Sequence, residues 1–480
     1  MPRHVVVPLI IAFAMFMQTL DSTILSTSIP AIARALDEPP LRLHLAVTSY
    51  MLSLAGFLPL SGWLADRFGA RRVFRSAILI FTLASMACGF SDSLLMLLAA
   101  RVCQGLGGAM MVPVGRLILV RSVAKTELIK AMTLMSMPAL VGPIVGPPLG
   151  GLITTFASWQ WIFWVNVPIG IVGWVMVGIF IEETRVESVK AFDLRGFIFS
   201  GIGLSAALFG FDGATTESFP PAVSYSVLGV GVVFLVLYAR HARRVANPIL
   251  DLKLLRVPTL RASIGGGSVF RIGIGAIPFL MPLFMQVGFG YSPLQSGLIT
   301  FAASAGAFGI RGFSARVLAR FGYRNVLIWD VLIAGVFLAS YGLFRADTPV
   351  VVMLALLAAG GVFRSLGFSS INTLAFADIE PAHMSQATSF TFMAQRLSMT
   401  VGVALSAFLV HVFAGGAADH PPVSAFAETF VVIAIISSLS SFVFYRLSPD
   451  AGASLSGRPV AHVERPAAES EPPPHREAAE

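Results

Sequence analysis

Long apolar runs without charge recur along this chain, and they constrain its fold more than any other feature. The first contains VVVPLIIAFAMF, and comparable runs return as far as residue 446. Runs of about 20 residues are long enough to cross a bilayer as helices. Lipid offers no partners for backbone N–H and C=O groups, so helices, which satisfy those groups internally, are the expected spanning element. Only 12% of the 480 residues are charged and 56% are hydrophobic, against about a quarter charged in a soluble domain. The expected fold class is an all-α polytopic membrane protein.

Charged residues and Pro/Gly breaks divide the sequence into about fourteen spans, near 6–29, 45–65, 74–91, 94–120, 130–153, 161–181, 194–212, 222–240, 262–287, 294–317, 325–345, 349–371, 386–412 and 425–446. The first run is flanked by Arg3 and His4 and lacks a small-residue cleavage site, so it reads as a retained helix rather than a secretory signal. The net charge of +8 sits in short loops, which argues against a nucleic-acid partner and for membrane topology. Arg67, Arg71, Arg72 and Arg75 follow the second span, and Arg121, Lys125 and Lys130 follow the fourth. Arg240, Arg243, Arg244, Lys253, Arg256 and Arg261 follow the eighth, and Arg320 and Arg324 the tenth. All are even-numbered loops, which places both termini in the cytoplasm by the positive-inside rule. The loop after the sixth span (Glu182, Glu183, Arg185, Glu187, Lys190) is mixed. The Pro-, Ala- and Glu-rich tail, 447–480, reads as disordered. Cys88 and Cys103 both fall in apolar runs, so neither a disulfide framework nor a metal site is expected.

An internal repeat is visible. PPLRLHLAVTSYMLSLAGFLPLSGWLADRFGARRV (39–73) parallels SPLQSGLITFAASAGAFGIRGFSARVLARFGYRNV (292–326), with Arg67-Phe68-Gly69 aligned to Arg320-Phe321-Gly322. Two related helical halves with a site at their interface are a mark of secondary transporters. The seventh and eighth spans lie between the copies.

Asp21, in MQTLDSTILSTSIPAI, is a carboxylate placed within a membrane run, and such a residue is a functional-site candidate by default. In GWLADRFGARRV (62–73), Gly62 would let two helix ends approach and Gly69 would permit a tight turn. Asp66 would pair with the arginines or cap a helix N-terminus. Together with Arg67, Arg71 and Arg72 it forms a candidate charge lock between two conformations. Ala319 replaces the acid in the second copy, which makes such a lock asymmetric.

This loop resembles the G-x-L-A-D-R-x-G-R-R/K motif of the major facilitator superfamily. Four further stretches narrow the resemblance to its fourteen-spanner drug:proton antiporters (EmrB/QacA type), with wording similar to the MdtD-type bacterial multidrug-resistance transporters. LDSTILSTSIP (20–30) resembles the first-helix motif of that group, and WQWIFWVNVPIG (159–170) its sixth-helix motif. GPIVGPPLGG (142–151) resembles the antiporter motif, through Gly142, Pro143, Gly146, Pro147, Gly150 and Gly151. RVCQGLGGAMMVPVGR (101–116) resembles the fourth-helix motif, with Arg101 and Gly105 in place.

The resemblance implies a major facilitator fold. Its parts are a first six-helix half (1–192), two inserted helices with a basic loop (193–258), a second half (259–446) and the tail. It also implies a monomer in the bacterial inner membrane that exports small molecules or drugs in exchange for protons by alternating access, with no cofactor. Asp21 would line the central cavity or its outer half and carry the proton. Arg101 stays charged and would tune that carboxylate. Each has a structural alternative, Asp21 as a bonded helix-packing acid and Arg101 as a tether. For 142–151, packing with a kink stands beside substrate contact, and Trp159, Trp161 and Asn166 read as anchor and packing residues.

Arg116, Arg271, Arg311, Arg364 and Arg396 also lie in or near apolar runs, whereas acids are scarce, with Asp212 and Asp330 near span ends. Arg116 and Arg311 read as anchors. Arg271, Arg364 and Arg396, with Asn372, Gln395, Thr23 and Gln104, are candidates for a substrate cavity. Guanidinium groups grip carboxylates bidentately, so an alternative substrate class is organic anions or their metal chelates. An enzyme reading has no support from any hydrolase, kinase, metal or P-loop motif. An importer or facilitator is opposed only by the resemblance of the glycine-proline motif.

Overall fold

The computed structural model describes residues 3–123, 128–183, 192–215, 220–245, 248–249, 251–380, 384–415 and 421–453. Lys125, Arg185, Glu187, Lys190 and the tail from 454 lie outside the described residues, as do the side chains of Lys130, Asp212 and Arg311. Among the described residues there are helices and no strands.

Each of the fourteen apolar runs holds a helix or a broken pair. They are α1 (Arg3–Ala35), α2 (His44–Phe57 and Leu60–Phe68), α3 (Ala70–Gly89), α4 (Leu94–Ser122) and α5 (Leu128–Phe156). Then come α6 (Trp161–Trp164 and Asn166–Phe180), α7 (Leu194–Thr215), α8 (Pro221–Ala242) and α9 (Pro258–Leu283). The order closes with α10 (Pro293–Gly309 and Arg311–Phe321), α11 (Tyr323–Tyr341), α12 (Val350–Leu374), α13 (Met384–Phe413) and α14 (Val423–Ser438 and Ser440–Tyr445). Eleven of the described helices reach membrane-spanning length and apolarity, with the two pieces of α6 and of α14 each taken together, and a twelfth does so when the two pieces of α2 count as one.

The breaks have local causes. α2 bends by 54° at Pro59, whose ring removes an amide hydrogen and clashes with the preceding turn. α9 carries Pro278 and Pro282 and ends in a π-turn, Phe284–Gly288. The aligned glycines of the internal repeat do the same work. Gly69 has φ +96° and Gly322 φ +75°, a region that glycine enters without a side-chain penalty, and each turns one helix directly into the next.

Core packing differs between the ends of the bundle. At the end opposite these glycines, one apolar cluster runs from Ile29 of α1 through Leu41 to Phe279 of α9 and Ile299 of α10. At the basic-loop end the cores are divided. Phe74, Met111 and Ile118 belong to one cluster, which also reaches Phe390 and Met393 of α13, and Phe270, Leu327 and Phe444 belong to another. α7 and α8 pack tightly on each other, because a Cβ at Gly231 or Gly210 would strike the facing backbone. Their outer faces, Val232 and Val233 among them, are exposed.

The first seven residues of the expected tail are ordered. Leu447 and Ala453 are buried, and Leu447 joins the apolar cluster of Tyr323 and Leu374. The apolar pattern continues past the last helix, so that boundary falls later than composition indicated.

Candidate functional site

Asp21 sits near the middle of α1, fully buried. Its Oδ2 accepts from Arg101 Nη1 at 2.6 Å. Its Oδ1 accepts from Gln104 Nε2 at 2.7 Å and from Asn166 Nδ2 at 3.1 Å. All three partners are donors, so the geometry complements a charged carboxylate. A second layer fixes these donors. Arg101 donates through Nε to the Ala46 carbonyl of α2 at 3.0 Å and through Nη1 to Gln104 Oε1 at 2.6 Å. Its guanidinium lies 4.3 Å from the centre of the Tyr50 ring, a cation–π arrangement. Asn166 also donates to Ser85 Oγ at 3.1 Å, and Ser85 Oγ donates to the Phe163 carbonyl at 2.9 Å.

Gly105 explains how α4 comes this close. A Cβ there would lie 2.7 Å from the Tyr50 carbonyl oxygen and 2.6 Å from the Ser53 side chain. The two helices therefore meet at van der Waals distance, which brings Arg101 and Gln104 over Asp21. Removing one partner of a buried ion pair leaves an uncompensated charge, a loss of roughly 3–5 kcal/mol.

This arrangement changes several expectations. Asp21 faces the interior of the first six helices and has no exposed surface, so it does not line a cavity. Gln104, a cavity candidate, is fully buried and belongs to the Asp21 network. Asn166, read as a packing residue, is one of the three donors to the acid. The contacts join residues up to 145 positions apart, and spacing along the chain carries no record of them. The one available signal was an amide in the otherwise apolar run WVNVP.

The motif around Asp66 is also placed differently. A Cβ at Gly62 would meet nothing within 4 Å, so that glycine serves no close approach. Asp66 pairs with Arg121 at the end of α4, at 2.9 Å, rather than with the arginines of its own loop. Arg71 donates to the Gly178 carbonyl of α6, and Arg72 lies 3.5 Å from Glu183. Arg67 is exposed. Among the described residues, Asp66, Arg71 and Arg72 contact α4, α6 and Glu183 just beyond it, so these charges do not bridge the two halves in this conformation.

The 142–151 motif makes two kinds of contact. Gly142, Gly146 and Gly150 face α1, where a Cβ would collide with Thr19, Thr23 and the Ile24 carbonyl respectively. Across the interface, Ser304 of α10 donates to the Pro143 carbonyl at 2.8 Å. The Pro147 carbonyl packs on Gly297, and Gly151 packs on the Pro293 carbonyl. Pro143 and Pro147 also line a cavity of about 290 Å³ between the halves, together with Thr23, Ser26, Ser304 and Arg364.

Two smaller cavities adjoin the same interface. One of about 80 Å³ holds Gln18, Arg116 and Arg396. The other, about 250 Å³, holds Arg116, Asn372, Thr391 and Gln395. Thr23, Arg364, Asn372, Gln395 and Arg396 thus reach cavities. Arg271 does not: it is fully buried and donates to Asn372 Oδ1 at 2.7 Å and to the Ser263 carbonyl at 3.4 Å. Arg116, expected as an anchor, borders both smaller cavities and lies 5.2 Å from the centre of the Phe392 ring. None of Arg116, Arg364 and Arg396 makes an ion pair among the described residues. Asp330, expected near a span end, is buried inside α11.

A fourteen-helix bundle with a buried charged network and cavities between its halves has the architecture of a polytopic transport protein. The sequence matches the Major Facilitator Superfamily over residues 11–403 and 263–471. It is 36% identical over 447 residues to a putative multidrug resistance protein MdtD of Pectobacterium atrosepticum, covering 92% of this chain and 95% of that protein. It is 38% identical over 450 residues to the protein of the same name in Escherichia coli, covering 92% and 94%. Among solved structures, a POT family transporter in complex with 5-aminolevulinic acid superposes with a TM-score of 0.68 at 13% identity, over 92% of this chain and 96% of that one. A D-xylose-proton symporter gives 0.65 at 13% over 93% and 98%, and the human organic anion transporter MFSD10 gives 0.58 at 16% over 92% and 100%. The chain belongs to the major facilitator superfamily, whose members are transporters of small molecules across membranes and not enzymes.

Proposed function

We propose that this protein is a proton-coupled antiporter that exports small molecules, drugs among them, from the cytoplasm by alternating access. The observation that carries the reading is the buried Asp21–Arg101 pair on α1 and α4. Two residues further along α1, Thr23 borders the interface cavity. Residues two apart on a helix point about 200° apart, so one helix carries the acid on its inner face and a substrate contact on the other. Neutralising Asp21 removes the charge that holds Arg101, Gln104 and Asn166. α1 is then free to shift against α4 and to carry the cavity wall with it. Arg101 keeps its proton throughout and acts by positioning.

In this reading two six-helix halves rock about the interface, with α7 and α8 outside the repeat. The basic loops lie in the cytoplasm, both termini with them, in a bacterial inner membrane. The single apolar cluster at the opposite end then closes the outer side, and the divided cores face the cytoplasm. The protein acts as a monomer, needs no cofactor and draws on the proton gradient. The names of the MdtD relatives support drug export.

A second substrate class, organic anions or their metal chelates, is favoured by Arg116, Arg364 and Arg396, which line the cavities without a carboxylate partner among the described residues. Everted vesicles with an acidic interior and a pH-sensitive dye test both readings when challenged with matched lipophilic cations and organic anions. The reading predicts substrate-dependent proton release that Asp21→Asn abolishes, and proton release undiminished in the variant contradicts it. Arg364→Ala that stops an anion response and spares a cation response supports the anion class. Equal loss of both removes it.

A further inference from the structure

Tyr50 lies on the first piece of α2, 1% exposed, with its ring centre 4.3 Å from the Arg101 guanidinium. Its hydroxyl hydrogen has no acceptor, and Gln18 Oε1 has no donor. The two side chains meet at Gly108 of α4. A Cβ on that glycine would lie 3.2 Å from Tyr50 Oη and 3.4 Å from Gln18 Nε2. Gln18 precedes Asp21 by three residues on α1, so the two share one helix face. Gln18 and Gly108 also line the cavity of about 80 Å³ that holds Leu58, Arg116 and Arg396.

Buried polar groups are nearly always hydrogen-bonded, so two incompletely paired ones between a buried acid and a cavity call for a role beyond packing. Asp21 has no exposed surface, and a proton leaving it has to pass other side chains. Arg101 keeps its own proton. Asn166 leads to Ser85, whose hydroxyl is committed to the Phe163 carbonyl inside the first six helices. The Tyr50 hydroxyl is uncommitted, and a hydroxyl both donates and accepts. We propose, resting on the assignment of the coupling proton to Asp21, that Tyr50 relays that proton to the cavity and that Gln18 positions its hydroxyl. Tyr50 Oη takes up the proton released by the Asp21 carboxyl as its own hydrogen passes to water in the cavity. One O–H bond forms and one breaks at the same oxygen, so the phenol ends neutral and the proton ends on water. No acid lines this cavity among the described residues to hold the proton, and Arg116 and Arg396 repel it onward. Gln18 is nearer than Asp21 to the start of α1, so the relay leads towards the basic-loop end.

Rapid-mixing infrared spectroscopy of the purified full chain tests this. An acid jump protonates Asp21, and a carboxylic C=O band that Asp21→Asn lacks reports the rate. Tyr50→Phe keeps the ring over Arg101 and removes a hydroxyl whose hydrogen has no acceptor. It is expected to slow the band by about tenfold or more, with its final amplitude and the thermal unfolding midpoint unchanged. Gln18→Met is expected to slow it less. Tyr225→Phe, at an exposed position on α8, is expected to leave the rate unchanged. An Asp21-dependent band with a wild-type rate in folded Tyr50→Phe overturns the relay alone. A lowered amplitude or midpoint in that variant, without slowing, overturns it in favour of a structural contact. A full band in Asp21→Asn overturns the assignment of the proton to Asp21, and the relay falls with it.

Discussion

At the scale of single residues, the account rests on one acid and its three donors. Arg101→Ala is expected to lower unfolding stability by roughly 3–5 kcal/mol, because it strands the buried Asp21 charge; thermal unfolding in detergent measures this. Arg101→Lys is expected to rescue little, since one ammonium cannot reproduce the separate contacts to Asp21, Gln104 and the Ala46 carbonyl. A lysine variant as stable and active as wild type contradicts the geometric argument. Asp21 and Arg101 were legible in the sequence because charge in an apolar run is costly. Gln104 was legible only as a polar residue, and its place beside the acid depends on the approach at Gly105. Arg271 misled for the complementary reason: a fully buried arginine that donates to Asn372 and the Ser263 carbonyl reads, from sequence, like one facing a cavity.

At the scale of elements, glycines in one motif have unlike roles. Gly69 turns α2 into α3 at φ +96°, so Gly69→Ala is expected to cost about 1–3 kcal/mol. Gly62 is helical and surrounded by open space, and Gly62→Ala is expected to stabilise by about 0.5–1 kcal/mol. Thermal scans of the two variants side by side check the pair, and similar shifts of the same sign refute the distinction. Gly146→Leu is expected to push α1 from α5 by colliding with Thr23. A folded variant should lose exchange while keeping the Asp21 network, a loss read by vesicle transport. The fourteen helices were legible because apolar length is a property of the run itself. The kink at Pro59 and the ordered turn through Leu447 and Ala453 were not, since both depend on what the chain packs against.

At the scale of the whole molecule, the conformation is closed on one side. Leu294 N donates to Thr155 Oγ1 at 3.2 Å, and Gln286 Nε2 donates to the Thr27 carbonyl at 2.8 Å. Cross-linking Thr155→Cys to Leu294→Cys in a Cys103→Ser background is therefore expected to arrest transport, with recovery on reduction. Full transport by the cross-linked protein contradicts a moving interface there. The internal repeat announced this architecture, but the sequence did not reveal which end is sealed, because that depends on contacts between helices far apart in the chain.

The most direct test of the central claim is proton release from purified protein in weakly buffered solution, followed with a pH indicator on adding a saturating cation or anion that drives the vesicle response. The account predicts substrate-dependent proton release from the wild-type protein, and none from a folded Asp21→Asn variant that still binds. Equal release from both proteins contradicts the assignment of coupling to Asp21.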